Sequence, residues 1–360
     1  MVNKKIAAPA GSVEILTHTS ACLADNPLGD PHERQLPVYL PAAYHRARQQ
    51  HSRFPVLFDL AAYTASGLSH LNWRNFEENL PQRLDRLINS GVMPPCIVVM
   101  PDCFTSLGGN QYINSTGVGA YADYLTRELI PFVDKHFRTL PGREHRGCFG
   151  KSSGGYGALL HGMRYARYWG AIACHSGDVY FDFVYRTEWP GVLTTLQKFA
   201  RPVLSEGVVR QRKKSSDDRR IQRFLDHCAA ADRLDGDEIT ALMLLCMSAT
   251  YDPDPNSAQG FNVPYNLHTG ELIPERWRQW RKHDPVTLVS KYRQNLQKLQ
   301  GLYIDCGWQD QYHLHFGTRQ LAERLRAHQI KHHYEEFAGS HSGIDGRLDI
   351  SLPYLVKRLG

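Results

Sequence analysis

Short apolar runs recur along the chain, separated by longer stretches in which apolar residues return every three or four positions. The strand-like runs fall at residues 13–17, 35–39, 55–60, 96–100, 147–149, 170–174, 302–305 and 333–337. Helical spacing dominates at 75–88, 121–137, 156–165, 317–328 and 348–359. Strands alternating with helices of this length predict a mostly parallel sheet covered by helices on both faces. The first two strands have no helix between them, so the chain is expected to start with an antiparallel hairpin. No repeat period is visible.

One segment interrupts the alternation. Residues 178–285 show no clear strand, only helical patterns at 221–231 and 237–247 and the irregular stretch Tyr251-Asp252-Pro253-Asp254-Pro255-Asn256. An aromatic and basic piece follows, Arg276-Trp277-Arg278-Gln279-Trp280-Arg281. The expected organisation is an α/β core from 1–177 and 286–360, with 178–285 inserted as a largely helical cap. Insertions at the C-terminal ends of strands usually shape a site. Trp277 and Trp280 are therefore candidates for a substrate-facing lid, with subdomain core as the alternative.

Composition narrows the class. In 360 residues, 42% are hydrophobic and 22% charged, as in ordinary soluble globular proteins. The net charge of +6 is mild and scattered. The one dense basic run, Arg210-Gln211-Arg212-Lys213-Lys214, is followed by Asp217 and Asp218 and reads as a solvated surface rather than a nucleic-acid site. The eight cysteines form no CxxC pair and several sit in apolar runs, which suits buried free thiols in a reducing compartment. The first nine residues carry no long apolar run, and the longest apolar stretch, 241–247, is too short to span a bilayer. These features point to a cytoplasmic protein with neither membrane nor nucleic-acid partner; a homodimer remains open.

The chemistry centres on Gly150-Lys151-Ser152-Ser153-Gly154. This G-x-S-x-G follows a strand-like run and opens a helix-like one, the sequence of a nucleophile elbow that lifts one serine above the sheet. Chance can supply such a pentapeptide, so partners must be found. A serine hydroxyl needs a base, and the base needs a carboxylate. In this arrangement the acid follows a strand after any insertion and the histidine follows the last strand. Both places are filled: Asp310 lies just past 302–305, and His341 just past 333–337.

Competing residues are weaker on position. Asp305 lies inside its strand. His175 and Asp178 precede the acid, although they could line a pocket. His313 and His315 form a His-x-His without supporting metal ligands, so neither a metal nor a cofactor is expected. The second serine, Ser153, occupies the position whose backbone N–H faces an oxyanion. A second donor is expected from the loop after 55–60, with the Tyr63 backbone as candidate. The glycine-rich loop from Gly108 to Asn114, together with Asp102, is a candidate pocket lining, with a structural polar loop as the alternative.

At these residues the chain resembles the putative-esterase family of α/β-hydrolases, which includes enterochelin esterases, S-formylglutathione hydrolase (esterase D), feruloyl esterases and mycolyltransferases. The marks are Leu60-Ala61-Ala62-Tyr63-Thr64, Pro101-Asp102-Cys103, the double glycine Gly154-Gly155, Ile304-Asp305-Cys306-Gly307 leading to Asp310, and Gly339-Ser340-His341. Relatives often carry a glycine where Ala61-Ala62 stands. The resemblance implies an α/β-hydrolase fold, Ser152 as nucleophile, Asp310 as acid, His341 as base, and Tyr63 and Ser153 as oxyanion donors. The expected activity is carboxylic ester hydrolysis on a small-molecule ester. Acyl transfer by the same triad and a non-catalytic binding protein are the alternatives.

Overall fold

The computed structural model describes residues 11–46, 51–200 and 219–360. The basic run at 210–214 and the first ten residues lie outside them. Eight strands form one sheet: β1 Ser12–Thr19, β2 Glu33–Leu40, β3 Val56–Leu60, β4 Ile97–Val99, β5 Arg146–Lys151, β6 Ala171–His175, β7 Gly301–Gly307 and β8 His333–Phe337. Their spatial order is β1-β2-β4-β3-β5-β6-β7-β8. β2 runs antiparallel to β1 and β4, and every other pair is parallel. This is an α/β fold with a mostly parallel sheet, and the chain does begin with an antiparallel hairpin.

Burial follows position in the sheet. The inner strands β3, β4 and β6 are buried at every residue. Their Val, Ile, Leu and Ala side chains meet helices on both faces, as a parallel sheet requires. The outer strands β1 and β8 carry Thr, His and Glu, and most of their residues are at least partly exposed. Charged outer strands discourage pairing with another chain.

The helices that frame the sheet are α1 Leu80–Asn89, α2 Ser153–Arg164, α7 Pro285–Gln297, α8 Leu314–Ala327 and α9 Leu348–Leu359; between α2 and α7 lie α3 Trp189–Gln197, α4 Arg220–Ala230, α5 Gly236–Tyr251 and α6 Pro274–Arg281. Leu84 of α1 and Leu352, Leu355 and Val356 of α9 pack with Leu57, Val98 and Phe149 on one face. The opposite face joins a larger core that includes α2 and the inserted helices.

Three elements depart from the expected pattern. α1 begins at Leu80 rather than near 75, because Asn79 and Gln82 exchange capping hydrogen bonds of 3.0 and 3.1 Å. The helix expected at 121–137 is wound as a π-turn over Tyr124–Leu129. Pro131 has no N–H to give to the carbonyl four residues back, which favours the wider turn there. α7 was not expected; Asp284 caps it by accepting from Val286 N at 3.0 Å, and it packs on α2 and α8.

Strand order locates the crevice. The chain leaves β3 for β4 on one side and reaches β5 on the other, so the order reverses at the β3–β5 pair. Ligands of open α/β sheets bind at the carboxyl ends of strands at such a switch point. The register puts Leu60 beside Gly150, Lys151 beside His175, and His175 beside Asp305. The loops after β3, β5, β6 and β7 thus start from one edge.

Candidate active site

Ser152 joins β5 to α2 with φ 55° and ψ −124°, a conformation that L-residues rarely adopt. Strain of this kind persists only where the surroundings enforce it. Here Ser152 N donates to His175 O at 3.0 Å, and Ser152 O accepts from Tyr156 N at 2.8 Å. The glycines serve close approach. A Cβ on Gly154 would lie 1.8 Å from Leu60 O, and one on Gly150 would lie 2.4 Å from it. Without those side chains, the end of β3 rests directly on the elbow. Ser153 is the first residue of α2, so its N–H has no partner within the helix.

The loops after β7 and β8 are fastened together. Trp308 N donates to Phe337 O and Gln309 N to Gly339 O, both at 3.0 Å. That link sets Asp310 against His341. Asp310 Oδ2 accepts from His341 Nδ1 at 2.8 Å, and Oδ1 accepts from Tyr312 N at 2.9 Å. Asp310 is buried, the His341 N–H donates to Gln311 Oε1, and the ring of Tyr312 stands edge-on to the imidazole at 5.0 Å. A carboxylate on Nδ1 fixes the tautomer that leaves Nε2 to accept a proton. Ser152 Oγ makes no hydrogen bond among the described residues; such contacts commonly tighten only when substrate is bound.

In the loop after β3, Tyr63 N makes no hydrogen bond among the described residues, whereas Thr64 N donates to Gly108 O at 2.8 Å. Thr64 itself has φ 67°. A buried polar cluster lies behind the elbow. Asp178 Oδ2 accepts from Tyr185 Oη at 2.8 Å and Gln111 Nε2 at 3.2 Å, and Ser153 Oγ lies 3.4 Å away. Burial raises the Asp178 pKa, and the nearby His341 opposes that rise. In the sequence Asp178 stands only as a possible pocket residue, and no motif signals the part played by Gln111 and Tyr185.

Other candidates are occupied elsewhere. His175 uses both ring nitrogens, on Asp305 at 2.7 Å and Ser351 Oγ at 2.9 Å, and Asp305 also accepts from Arg347 and Tyr303. Three expected substrate contacts have partners within the fold. Asp102 pairs with Arg34 at 3.4 Å and accepts from Phe104 N, so it organises its own loop. Trp277 is 5% exposed and Trp280 0%. Trp280 packs on Tyr185, Trp189 and Tyr251, so both indoles lie in the core of the insertion rather than on a pocket wall. Large aromatics stabilise most when their whole area is buried, which outweighs display on a lid. A cavity of about 350 Å³ opens beside the elbow, bounded by Tyr63, Gly150, Lys151 and His70; neither Ser152 nor His341 lines it. The thiols offer no rival nucleophile: burial pushes Cys96, Cys246 and Cys306 up to about 12.

With this geometry in hand, similarity to known proteins decides the family. A family model described as Putative esterase matches residues 31–345. The chain belongs to the Putative esterase family. Over 153 residues it is 31% identical to the endo-1,4-beta-xylanase/feruloyl esterase of Xylanibacter ruminicola, covering 40% of this chain and 19% of that one. It is 30% identical to an esterase of Mycobacterium tuberculosis over 89 residues, 23% of this chain and 18% of that one. The chain spans only about a fifth of the length of these curated relatives. Among solved structures, a ferulic acid esterase superposes with a TM-score of 0.59 at 18% identity, covering 97% of this chain and 98% of that one. An S-formylglutathione hydrolase from Agrobacterium tumefaciens gives 0.58 at 17%, covering 98% and 97%. At these identities the likeness establishes the α/β-hydrolase fold of this esterase-family member. No helix among its described residues is long and apolar enough to cross a membrane.

Proposed function

We propose that this esterase-family member is a serine carboxylesterase with Ser152 as nucleophile, Asp310 as acid and His341 as base. The observation that carries the reading is the 2.8 Å hydrogen bond from His341 Nδ1 to Asp310 Oδ2, held at the sheet edge where the strained Ser152 stands. His341 Nε2 takes the Ser152 hydroxyl proton as Oγ attacks the acyl carbon. The C=O electron pair moves to oxygen and is met by the N–H groups of Tyr63 and Ser153. Collapse breaks the bond to the leaving group, which takes the proton from His341. Water then gives a proton to Nε2, attacks the acyl-enzyme and releases the acid as Ser152 regains its proton. In this reading 178–285 is a cap whose residues back the elbow. The similar structures are named for ferulic acid esters and S-formylglutathione; for this chain we take the class that spans both, an acyl group on an oxygen or sulfur leaving group. Hydrolysis of p-nitrophenyl acetate by wild type and Ser152→Ala tests it. The variant is expected to stay folded and lose at least about a thousandfold in kcat; wild-type turnover in a folded variant overturns the reading.

A further inference from the structure

One buried turn, residues 105–112, touches both proposed oxyanion donors. On the Tyr63 side it makes three bonds. Tyr63 Oη donates to Leu107 O at 2.7 Å, Thr64 N donates to Gly108 O at 2.8 Å, and Tyr112 Oη donates to Ala61 O at 2.5 Å. On the Ser153 side, Gln111 Nε2 donates to Ser153 Oγ at 3.0 Å. The turn is also tied to the elbow helix: His161 Nε2 donates to Tyr112 O at 2.9 Å, with the tautomer fixed by Trp169 Nε1 donating to His161 Nδ1 at 3.0 Å.

The turn is itself rigid. Thr105 Oγ1 donates to Gly109 O at 2.6 Å and accepts from Leu107 N at 3.2 Å. Helix α5 of the insertion closes it from behind, with Cys246 Sγ donating to Gly109 O at 3.3 Å and Met247 Sδ 2.9 Å from Gln111 Nε2. Nothing in ester chemistry calls for these groups, because none is a nucleophile, base or oxyanion donor.

Their placement matters because oxyanion donors act through preorganisation. The two N–H groups stand on separate loops, one after β3 and one after β5. The sheet fixes where those loops begin but not the direction in which each N–H points. A part bonded to both loops fixes their separation. We infer that Gln111 is a positioning residue for the oxyanion hole: through it, the turn at 105–112 holds the Ser153 and Tyr63 N–H groups in one frame, with α5 as its back wall.

The inference rests on Ser152 being the nucleophile, and the test separates the two. Gln111→Leu, Ser153→Ala and the double variant keep every backbone N–H. Each is assayed with p-nitrophenyl acetate at a temperature where circular dichroism shows it folded, and each is titrated with a trifluoromethyl ketone, whose hemiketal places an oxyanion in the hole. Each single variant is expected to lose about ten- to hundredfold in kcat, with KM within about twofold. The inhibition constant should rise by the same factor as kcat falls, and the double variant should be no worse than the poorer single one. Wild-type kcat in folded Gln111→Leu, a rise confined to KM, or losses that multiply in the double variant overturn the inference. Should Gln111→Leu not fold, Ser153→Ala, which removes one oxygen, decides alone by the same readouts. A wild-type protein that turns over no ester, or a folded Ser152→Ala that keeps the wild-type rate, overturns the functional reading itself.

Discussion

At the scale of single residues, the same few side chains that build the site also set its response to acid. His161 lies fully buried between Tyr112 and Trp169, and burial pushes its pKa down from 6.5 to about 4. The unfolded chain therefore binds this proton more readily than the folded one. The associated stability is fully present above pH 6.5 and is lost as pH falls toward 4. That difference corresponds to about 3 kcal/mol. His283, pushed to about 3 by burial and the neighbouring Arg164, acts in the same direction. Urea denaturation across pH 7 to 4 should show falling stability, and His161→Gln should flatten the lower part of that curve; an unchanged slope contradicts the assignment. His161 was not legible as important from sequence, because a lone histidine at helical spacing looks the same whether it faces core or solvent. The proposed triad of Ser152, Asp310 and His341 was easier to suggest from sequence, since the elbow glycines and the chain order constrain it in one dimension.

At the scale of elements, the turn at 105–112 is the least sequence-like part of the site. Gly108 has φ 83°, and a Cβ there would lie 2.6 Å from Tyr63 Oη. Gly108→Ala is expected to cost roughly 1–3 kcal/mol through backbone strain and to lower kcat by displacing Tyr63; wild-type stability and rate would show that the turn adapts freely. In the sequence this stretch offered mostly glycines and polar residues, compatible with a pocket lining or with a structural loop. Its role depends on long-range contacts with Ala61, Ser153 and Cys246. Strands read more easily: all eight expected runs start within two residues of the observed strand, as β1 at Ser12 shows against an expected 13. The runs are apolar because both faces of the sheet are covered. α7 escaped notice because Pro285 and the mixed polar run after it disguise a helix that Asp284 caps. For the tryptophans of α6 the sequence leaves lid and core open, and their burial favours the core.

At the scale of the molecule, one continuous core joins the sheet to the insertion. Side chains of α2, α3, α5 and α6 belong to the same buried cluster as β3, β5 and β6. The cysteines report on its integrity. Six of the eight are buried, while Cys22 and Cys228 are half-buried and still pushed up to about 11. Ellman's reagent at pH 8 should therefore titrate at most those two in the native state and all eight in guanidinium; rapid reaction of more than two native thiols contradicts this packing. The strand order also explains why distant stretches of sequence meet: the β3–β5 switch point brings the Tyr63 loop to the Ser152 elbow, and β7 and β8 carry Asp310 and His341 to the same edge. The sequence already puts these loops at the C-terminal ends of parallel strands; the strand order adds which strands are neighbours.

If Ser152 is a nucleophile activated by His341, a fluorophosphonate should label it, as intact-protein and peptide mass spectrometry can read. One adduct per chain is expected, on the peptide bearing Ser152, absent in Ser152→Ala and formed far more slowly in His341→Ala. An adduct that persists in Ser152→Ala, or a folded wild-type protein that takes none, contradicts it.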